Sequence, residues 1–297
     1  MKVRHAVEAA GFRFLLAAAR VLPRRVMLAA GSLAGLLGWA LDARHRRIAS
    51  ENLERAFGDT LDARARARLQ RACWRHFGRI TLDSLCVLQL DAASVQSLVE
   101  VEGIELTREA YARGHGVLLF SGHFGHWELA ALVQGYLGLP MTLVTRPLDN
   151  PRLESMLARL RTRSGNTVVH KRSAVREMLQ TLAAGGGVAI VIDQDARESG
   201  IFVPFLGRPA STTPTPATLA LRAGAPLVAV CCLPREDGRY RIIYGPVLEA
   251  TSTGDRAADV ARLTAACTQV LEQWVRRNPQ YWLWMHRRWK TVPPEEA

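Results

Sequence analysis

Three kinds of apolar spacing succeed one another along the chain. Up to residue 45 the apolar stretches are long: Phe12–Val21 carries Arg13 and Arg20, Pro23 interrupts, and Val26–Leu41 runs sixteen residues without a charge. From 46 to 100 the spacing is that of amphipathic helices. Asp62 stands as an N-cap before Ala63–Leu90, where Leu, Trp and Phe recur every three or four residues among arginines. From residue 101 the apolar runs shorten and become β-rich, at Val117–Ser121, Met141–Thr145, Val168–His170, Val188–Ile192, Leu227–Leu233 and Tyr240–Tyr244. Helical stretches lie between several of them: His126–Tyr136, Arg152–Arg163, Ser173–Ala183 and Pro216–Ala223. A last helix gathers Val260, Leu263, Cys267, Val270, Leu271 and Trp274 on one face and ends before Asn278-Pro279. Alternation of this kind predicts an α/β fold, a mixed β-sheet flanked by helices on both faces. The predicted parts are a membrane-associated helical segment over 1–45, a helical scaffold over 46–100 and an α/β domain over 101–297.

Charge sharpens the reading of the amino-terminal part. The net charge is +12, and residues 1–90 hold 16 Lys/Arg against 7 Asp/Glu. Only Lys2, Lys171 and Lys290 are lysines, so nearly every cation is a guanidinium, the fork that suits phosphate and carboxylate. As a helix, Val26–Leu41 covers about 24 Å, short of the roughly 30 Å of bilayer hydrocarbon. A helical hairpin lying in the interface, with arginines among lipid head groups, fits length and charge together. The competing readings are a cleaved signal peptide and a buried core helix. No A-x-A site follows Leu41, where Ala43-Arg44-His45-Arg46-Arg47 forms a basic, cytoplasmic-type flank. Nucleic acid is not expected, since no aromatic-interleaved basic motif or zinc finger appears. Five cysteines without C-x-x-C spacing suggest neither a disulfide framework nor a zinc site. The four tryptophans near the carboxyl terminus, Trp274, Trp282, Trp284 and Trp289, are expected in the core.

The chemistry concentrates at Leu118–Leu129, where an apolar strand enters the turn Ser121-Gly122-His123-Phe124-Gly125 and a helix begins. His123 and Glu128, five apart, would stand about 140° from one another on an ideal helix. With His123 on the turn and Glu128 in the first helical turn, the carboxylate folds back onto the imidazole and orients it as a base. No G-x-S-x-G is present, and Ser121 lies on the strand, so a covalent serine or cysteine intermediate has little support. A base without a protein nucleophile fits direct attack by the acceptor's own hydroxyl on an activated acyl carbonyl. A metal site from His123, His126 and Glu128 lacks an H-E-x-x-H pattern or a third-ligand cluster, and no metal is expected.

These residues and four further blocks resemble the late acyltransferases of lipid A biosynthesis, within the glycerolipid acyltransferase superfamily that uses an H-x-x-x-x-D/E motif. The blocks are His45–Ala49 with Asn52-Leu53, Ser121–Glu128, Arg146–Pro151 with Arg163-Ser164-Gly165, Asp193-Gln194-Asp195 with Phe202–Gly207, and Asn278–Trp289. The resemblance spans most of the chain and keeps the order of the blocks. It implies a glycerolipid-acyltransferase-like fold and transfer of a fatty acyl group from acyl carrier protein thioester to a hydroxyl of a lipid A precursor. The setting implied is the cytoplasmic face of the inner membrane, with an anionic glycolipid acceptor and no metal or organic cofactor. His123 would be the base and Glu128 its partner; Arg146, Arg163, Asp193 and Asp195 would contact substrate. The Phe-Pro-Glu-Gly block of phospholipid-making relatives is replaced by Phe202-Val203-Pro204-Phe205, which points away from lysophosphatidate. Thr213-Pro214-Thr215-Pro216-Ala217 also departs from the family, which more often has a glycine before the alanine. Alternative readings are the same chemistry on a mannosylated phosphoinositide or amino-lipid, a catalytically silent lipid-binding relative, and thioester hydrolysis.

Overall fold

A computed structural model of the chain describes residues 2–170 and 174–293. Four helices come first: α1 (Lys2–Val21), α2 (Arg24–Leu41), α3 (Ala43–Phe57) and α4 (Ala63–Val87). Their boundaries follow local chemistry. Pro23 separates α1 from α2, the Asp42 carboxylate accepts the His45 N–H at the start of α3, and Asp62 accepts from Ala65 N–H at the start of α4. The remainder is α5 (Ala92–Leu98), β1 (Val99–Glu102), α6 (Ile104–Ala112), β2 (Val117–Ser121), α7 (Trp127–Tyr136), β3 (Met141–Thr145), α8 (Pro151–Arg161) and β4 (Thr167–His170). Then follow α9 (Ala174–Ala183), β5 (Gly187–Val191), β6 (Ile201–Phe205), β7 (Arg208–Thr212), α10 (Thr215–Ala223), β8 (Leu227–Pro234), β9 (Tyr240–Leu248) and α11 (Arg256–Arg277). Ser173, the predicted first residue of α9, lies outside the described residues.

Seven strands form one sheet in the order β1-β9-β8-β2-β5-β3-β4. All neighbours run parallel except the β8–β9 hairpin. Side-chain alternation assigns the two faces. Leu118 and Phe120 of β2 join a core with α9, α10, α11 and the carboxyl-terminal tryptophans; Val117 and Leu119 join the opposite core with α6 and α7. The expected mixed sheet with flanking helices is therefore present. β6 and β7 form a separate hairpin, and β1 begins at Val99, two residues before the boundary expected from sequence. Trp282, Trp284 and Trp289 are buried, as predicted for core.

The amino-terminal helices are built into this body on one side and left bare on the other. α2 lies against α4 at backbone contact: a Cβ on Gly35 would come within 2.2 Å of Trp74 O, and one on Gly78 within 2.3 Å of Gly31 O. Only glycine permits helices to approach so closely. The other face of α2 exposes Leu33, Leu36, Leu37 and Leu41, and α1 exposes Phe14, Leu15 and Val21. Among the described residues no single helix is long and apolar enough to cross a membrane, although α2 and α3, bent at 91°, pass that test as a pair.

Candidate active site

The register of the central strands creates the site. β2 and β5 are parallel neighbours with Ser121 opposite Val191, so two residues beyond each strand end stand His123 and Asp193. In open α/β sheets the carboxyl ends of parallel strands are where ligands bind. Gly122 allows the approach, because a Cβ there would lie 2.9 Å from Asp193 Oδ2 and 2.8 Å from Leu271. His123 N–H donates to Asp193 Oδ2 at 2.7 Å, and His123 Nδ1 lies 2.8 Å from Asp193 Oδ1. Trp282 Nε1 donates to Asp193 Oδ2 at 2.8 Å.

Asp193 is buried, and burial alone would raise its carboxyl pKa. The His123 charge and hydrogen bonds and the Trp282 indole outweigh that, and the net shift is downward. At His123 burial pulls the other way, toward the neutral ring, while the charge and hydrogen bond of Asp193 and the more distant Glu128 prevail and raise the pKa. An ionised Asp193 against Nδ1 fixes the Nδ1–H tautomer and leaves the Nε2 lone pair free. Gln194 Nε2, on an exposed side chain, stands 3.5 Å from that nitrogen. Trp127 meets the imidazole edge-on, with ring centroids 5.3 Å apart.

Around this pair the chain crosses itself repeatedly. Gly125, at φ 61°, turns the backbone so that His126 N–H donates to Cys232 O at 2.8 Å, and a Cβ at 125 would stand 2.0 Å from that oxygen. The carboxyl-terminal strap closes the other side: Gly125 N–H donates to Tyr281 O and Leu283 N–H to His123 O. α4 backs the turn from below. Cys73 Sγ donates to Trp282 O at 3.1 Å, and His76, whose pKa burial pulls down to about 3, packs on Tyr281.

The predicted contact between Glu128 and His123 is not formed. Glu128 instead pairs with Arg161, whose Nε donates to Oε2 at 2.9 Å and whose Nη2 reaches Oε1. Helix α7 starts at Trp127, and its first turn presents Trp127 to the imidazole, while the acid that orients the ring comes from the neighbouring strand end. The resemblance implies a substrate contact for Asp193, but its oxygens are taken by His123 and Trp282. Asp195 faces the strap, with Oδ2 accepting from Thr291 at 3.0 Å and its N–H donating to His286 Nε2.

The arginines divide likewise. Arg163 is exposed past the end of α8, where its charge helps, as a minor contribution, to lower the Asp91 carboxyl. That is the end of α7 where Tyr136 donates to Leu90 O, so Arg161 and not Arg163 is the guanidinium that pairs with Glu128. The signal for Arg161 was present in the run Arg159, Arg161, Arg163, but choosing among the three requires the pitch of α8. Arg146 sits exposed just past the end of β3 with no carboxylate partner among the described residues. The cysteines are buried, and burial pushes the thiols of Cys73, Cys231 and Cys267 up to about 12, so none offers a thiolate.

Comparison with known proteins identifies the family. A family model for bacterial lipid A biosynthesis acyltransferases matches residues 2–291. The lipid A biosynthesis palmitoleoyltransferase of Escherichia coli (strain K12) is 28% identical over 279 residues, covering 93% of this chain and 89% of its own. The lauroyltransferase of the same organism is 29% identical over 275 residues, covering 92% and 88%. A phosphatidylinositol mannoside acyltransferase of Mycolicibacterium smegmatis (strain ATCC 700084 / mc(2)155) is 26% identical over 227 residues, covering 74% and 72%. With the family model matched almost from end to end, the chain belongs to the bacterial lipid A biosynthesis acyltransferase family.

Proposed function

We propose that the chain transfers a fatty acyl group from an acyl carrier protein thioester to a hydroxyl of a lipid A precursor, with His123 as general base. The observation that carries this reading is the 2.8 Å contact of His123 Nδ1 with the buried Asp193 carboxylate. It leaves Nε2 as the basic atom on the side where Gln194 is exposed. The acceptor hydroxyl gives its proton to Nε2 as its oxygen attacks the thioester carbonyl. Collapse of the tetrahedral oxyanion breaks the carbon–sulfur bond, and the departing thiolate takes up the proton. General-base assistance of this kind contributes about 10²- to 10⁴-fold in rate. The buried cysteines and the absence of a G-x-S-x-G turn favour direct transfer over an acyl-enzyme. Arg146, with no carboxylate partner among the described residues, suits an acceptor phosphate, and Arg161 neutralises Glu128 in the first turn of α7.

The same proposal seats the enzyme on the cytoplasmic face of the inner membrane. The bare leucines of α2 and the exposed Phe14 and Leu15 of α1 form an apolar outer surface in the most basic part of the chain. That combination suits partial burial at an anionic lipid interface.

Purified full-length chain is tested with acyl carrier protein thioester, with and without a lipid A precursor. Acceptor-dependent thiol release and an acylated precursor by mass spectrometry are expected. Acceptor-independent release would establish hydrolysis instead, and acylation of a phosphatidylinositol mannoside alone would move the acceptor to that class. His123→Ala is expected to fold normally and lose nearly all transfer; near-wild-type turnover would end the assignment of the base.

A further inference from the structure

Behind the catalytic turn lies an ion pair with a buried carboxylate that the acyl-transfer reading does not use. The Asp83 side chain on α4 is wholly buried. It takes both prongs of Arg24, with Nε on Oδ1 and Nη2 on Oδ2, each at 2.6 Å, and the Tyr240 hydroxyl donates to Oδ2 at 2.5 Å. Arg24 is the first residue of α2, and its remaining Nη1 donates to Gly238 O at 2.8 Å in the β8–β9 turn. Arg24 also lies over the Tyr240 ring, 5.3 Å from its centroid. A bidentate pair on a wholly buried carboxylate is strongly constrained, because removing Arg24 strands the Asp83 charge away from water.

The third group at this carboxylate is His126, the N-cap residue of α7. Its Nδ1 accepts the Leu129 N–H at 3.3 Å, so Nδ1 carries no proton and a neutral ring bears its hydrogen on Nε2. Nε2 is buried, stands 3.7 Å from Asp83 Oδ2, and has no hydrogen-bond partner among the described residues. The His126 ring also meets the Tyr240 ring edge-on at 5.2 Å. Burial holds His126 toward its neutral form. His126 therefore rests on a wall made of Asp83 and Tyr240, and the next two residues of the chain are Trp127, against the His123 ring, and Glu128, paired with Arg161.

We propose that Arg24 and Asp83 are positioning residues for acyl transfer: by completing the wall behind His126, the first residue of the apolar helix α2 holds the first turn of α7 against His123. The amino-terminal helices are then part of the active site's support as well as a lipid-facing surface. Loss of Arg24 leaves a buried carboxylate that must take a proton or admit water, and either event changes what His126 and Tyr240 face. Displacement of a positioning element by about 1 Å costs up to about 100-fold in rate.

This inference rests on His123 being the working base, and the test keeps the two apart. Full-length Arg24→Met, Arg24→Lys, Arg25→Met and the charge-free double variant Arg24→Met/Asp83→Asn are compared in detergent micelles, where partition onto membranes does not limit the rate. Folding is checked by near-ultraviolet circular dichroism and the thermal midpoint, and His123→Ala is carried in parallel. Arg25→Met removes the same charge from the adjacent position and measures what charge loss alone does. The expected result is kcat for Arg24→Met about 10- to 100-fold below that of Arg25→Met, KM for both substrates within about twofold, and partial recovery in Arg24→Lys. The double variant is expected to regain the thermal midpoint without regaining kcat, and it decides the matter if the single variant does not fold. Equal kcat in Arg24→Met and Arg25→Met, or full kcat in the double variant, would reduce the pair to a fold-stabilising contact and overturn the proposal. A His123→Ala chain that still turns over would overturn the assignment of the base itself, whatever the Arg24 variants do.

Discussion

Asp193→Asn isolates the physical content of the site, because it preserves shape while removing one charge and exchanging one acceptor for a donor. Oδ2 accepts two N–H groups, from His123 and from Trp282, whereas Oδ1 faces only the imidazole Nδ1. The amide will therefore keep its oxygen at the Oδ2 position and turn its NH₂ toward Nδ1. An amide donor there requires Nδ1 to accept, which moves the ring proton to Nε2 and removes the lone pair that should take the hydroxyl proton. Wrong-tautomer substitutions of this type cost up to about 10⁴ in rate. The expected loss is about 10²- to 10⁴-fold in kcat, or about 2.7 to 5.4 kcal/mol of barrier. The pH profile should move as well. In the native protein Asp193 raises the His123 pKa, so the acid limb of kcat/KM should lie above the ordinary histidine value of about 6.5. In the variant burial, the largest influence on the ring, is opposed only by the more distant Glu128, and the limb should fall below it. For stability, the lowered Asp193 pKa contributes above the unfolded carboxylate value of about 3.9, and that contribution disappears as pH falls through the lower folded value. Acceptor-dependent thiol release from acyl carrier protein thioester across pH is the assay. A kcat within about threefold of wild type, with an unmoved acid limb, would refute the tautomer argument.

Three other perturbations follow from the same geometry. Glu128→Gln and Arg161→Met should each slow transfer about tenfold, and the double variant should be no slower than the worse single, a coupling of about 0.5–3 kcal/mol; multiplying losses would show that the two act separately. Gly125→Ala should lower stability by at least about 1–3 kcal/mol in a thermal or denaturant melt, since the residue sits at φ 61° with Cys232 O in the space of a side chain; an unchanged midpoint would contradict that close approach. Leu33→Glu with Leu37→Glu, on side chains 60% and 53% exposed, should leave the fold intact and abolish flotation with anionic vesicles; continued flotation would place the lipid contact elsewhere.

What could be read from sequence depended on whether the information was local. β2 and β3 coincide with their apolar runs because each is buried on both faces and reads as a continuous hydrophobic word. β1 escaped notice since Val99-Glu100-Val101-Glu102 alternates over four residues at the sheet edge. The β6–β7 hairpin escaped because Pro204 and Pro209 argue against strand; here they stand opposite one another in an isolated two-stranded ladder, where absent N–H donors cost little. At the candidate site, the place of His123 on a turn was legible from the strand, the glycines and the following helix. Its acid was not. The nearest carboxylate in sequence was Glu128, whereas the partner in space is Asp193, 70 residues away and set opposite by strand register. No periodicity within a single chain segment encodes which strand will lie beside which.

The burial of Asp193 explains why so many separate stretches converge on one histidine. A carboxylate taken out of water must have its oxygens satisfied or it will protonate, and a protonated Asp193 would neither hold the Nδ1–H tautomer nor stabilise the imidazolium. Two of its donors come from the β2 turn, and the third comes from Trp282 on the carboxyl-terminal strap. The strap in turn is held by backbone bonds to His123 and Gly125, by Cys73 of α4 and by Asn52 of α3, whose Nδ2 donates to Trp284 O and His286 O. α4 is itself locked to α2 through glycine contacts and the Arg24–Asp83 pair. Keeping one acid ionised in an apolar interior thus draws on the first helices and the last tryptophans of the chain at once. The family match covers the same span, from residue 2 to residue 291.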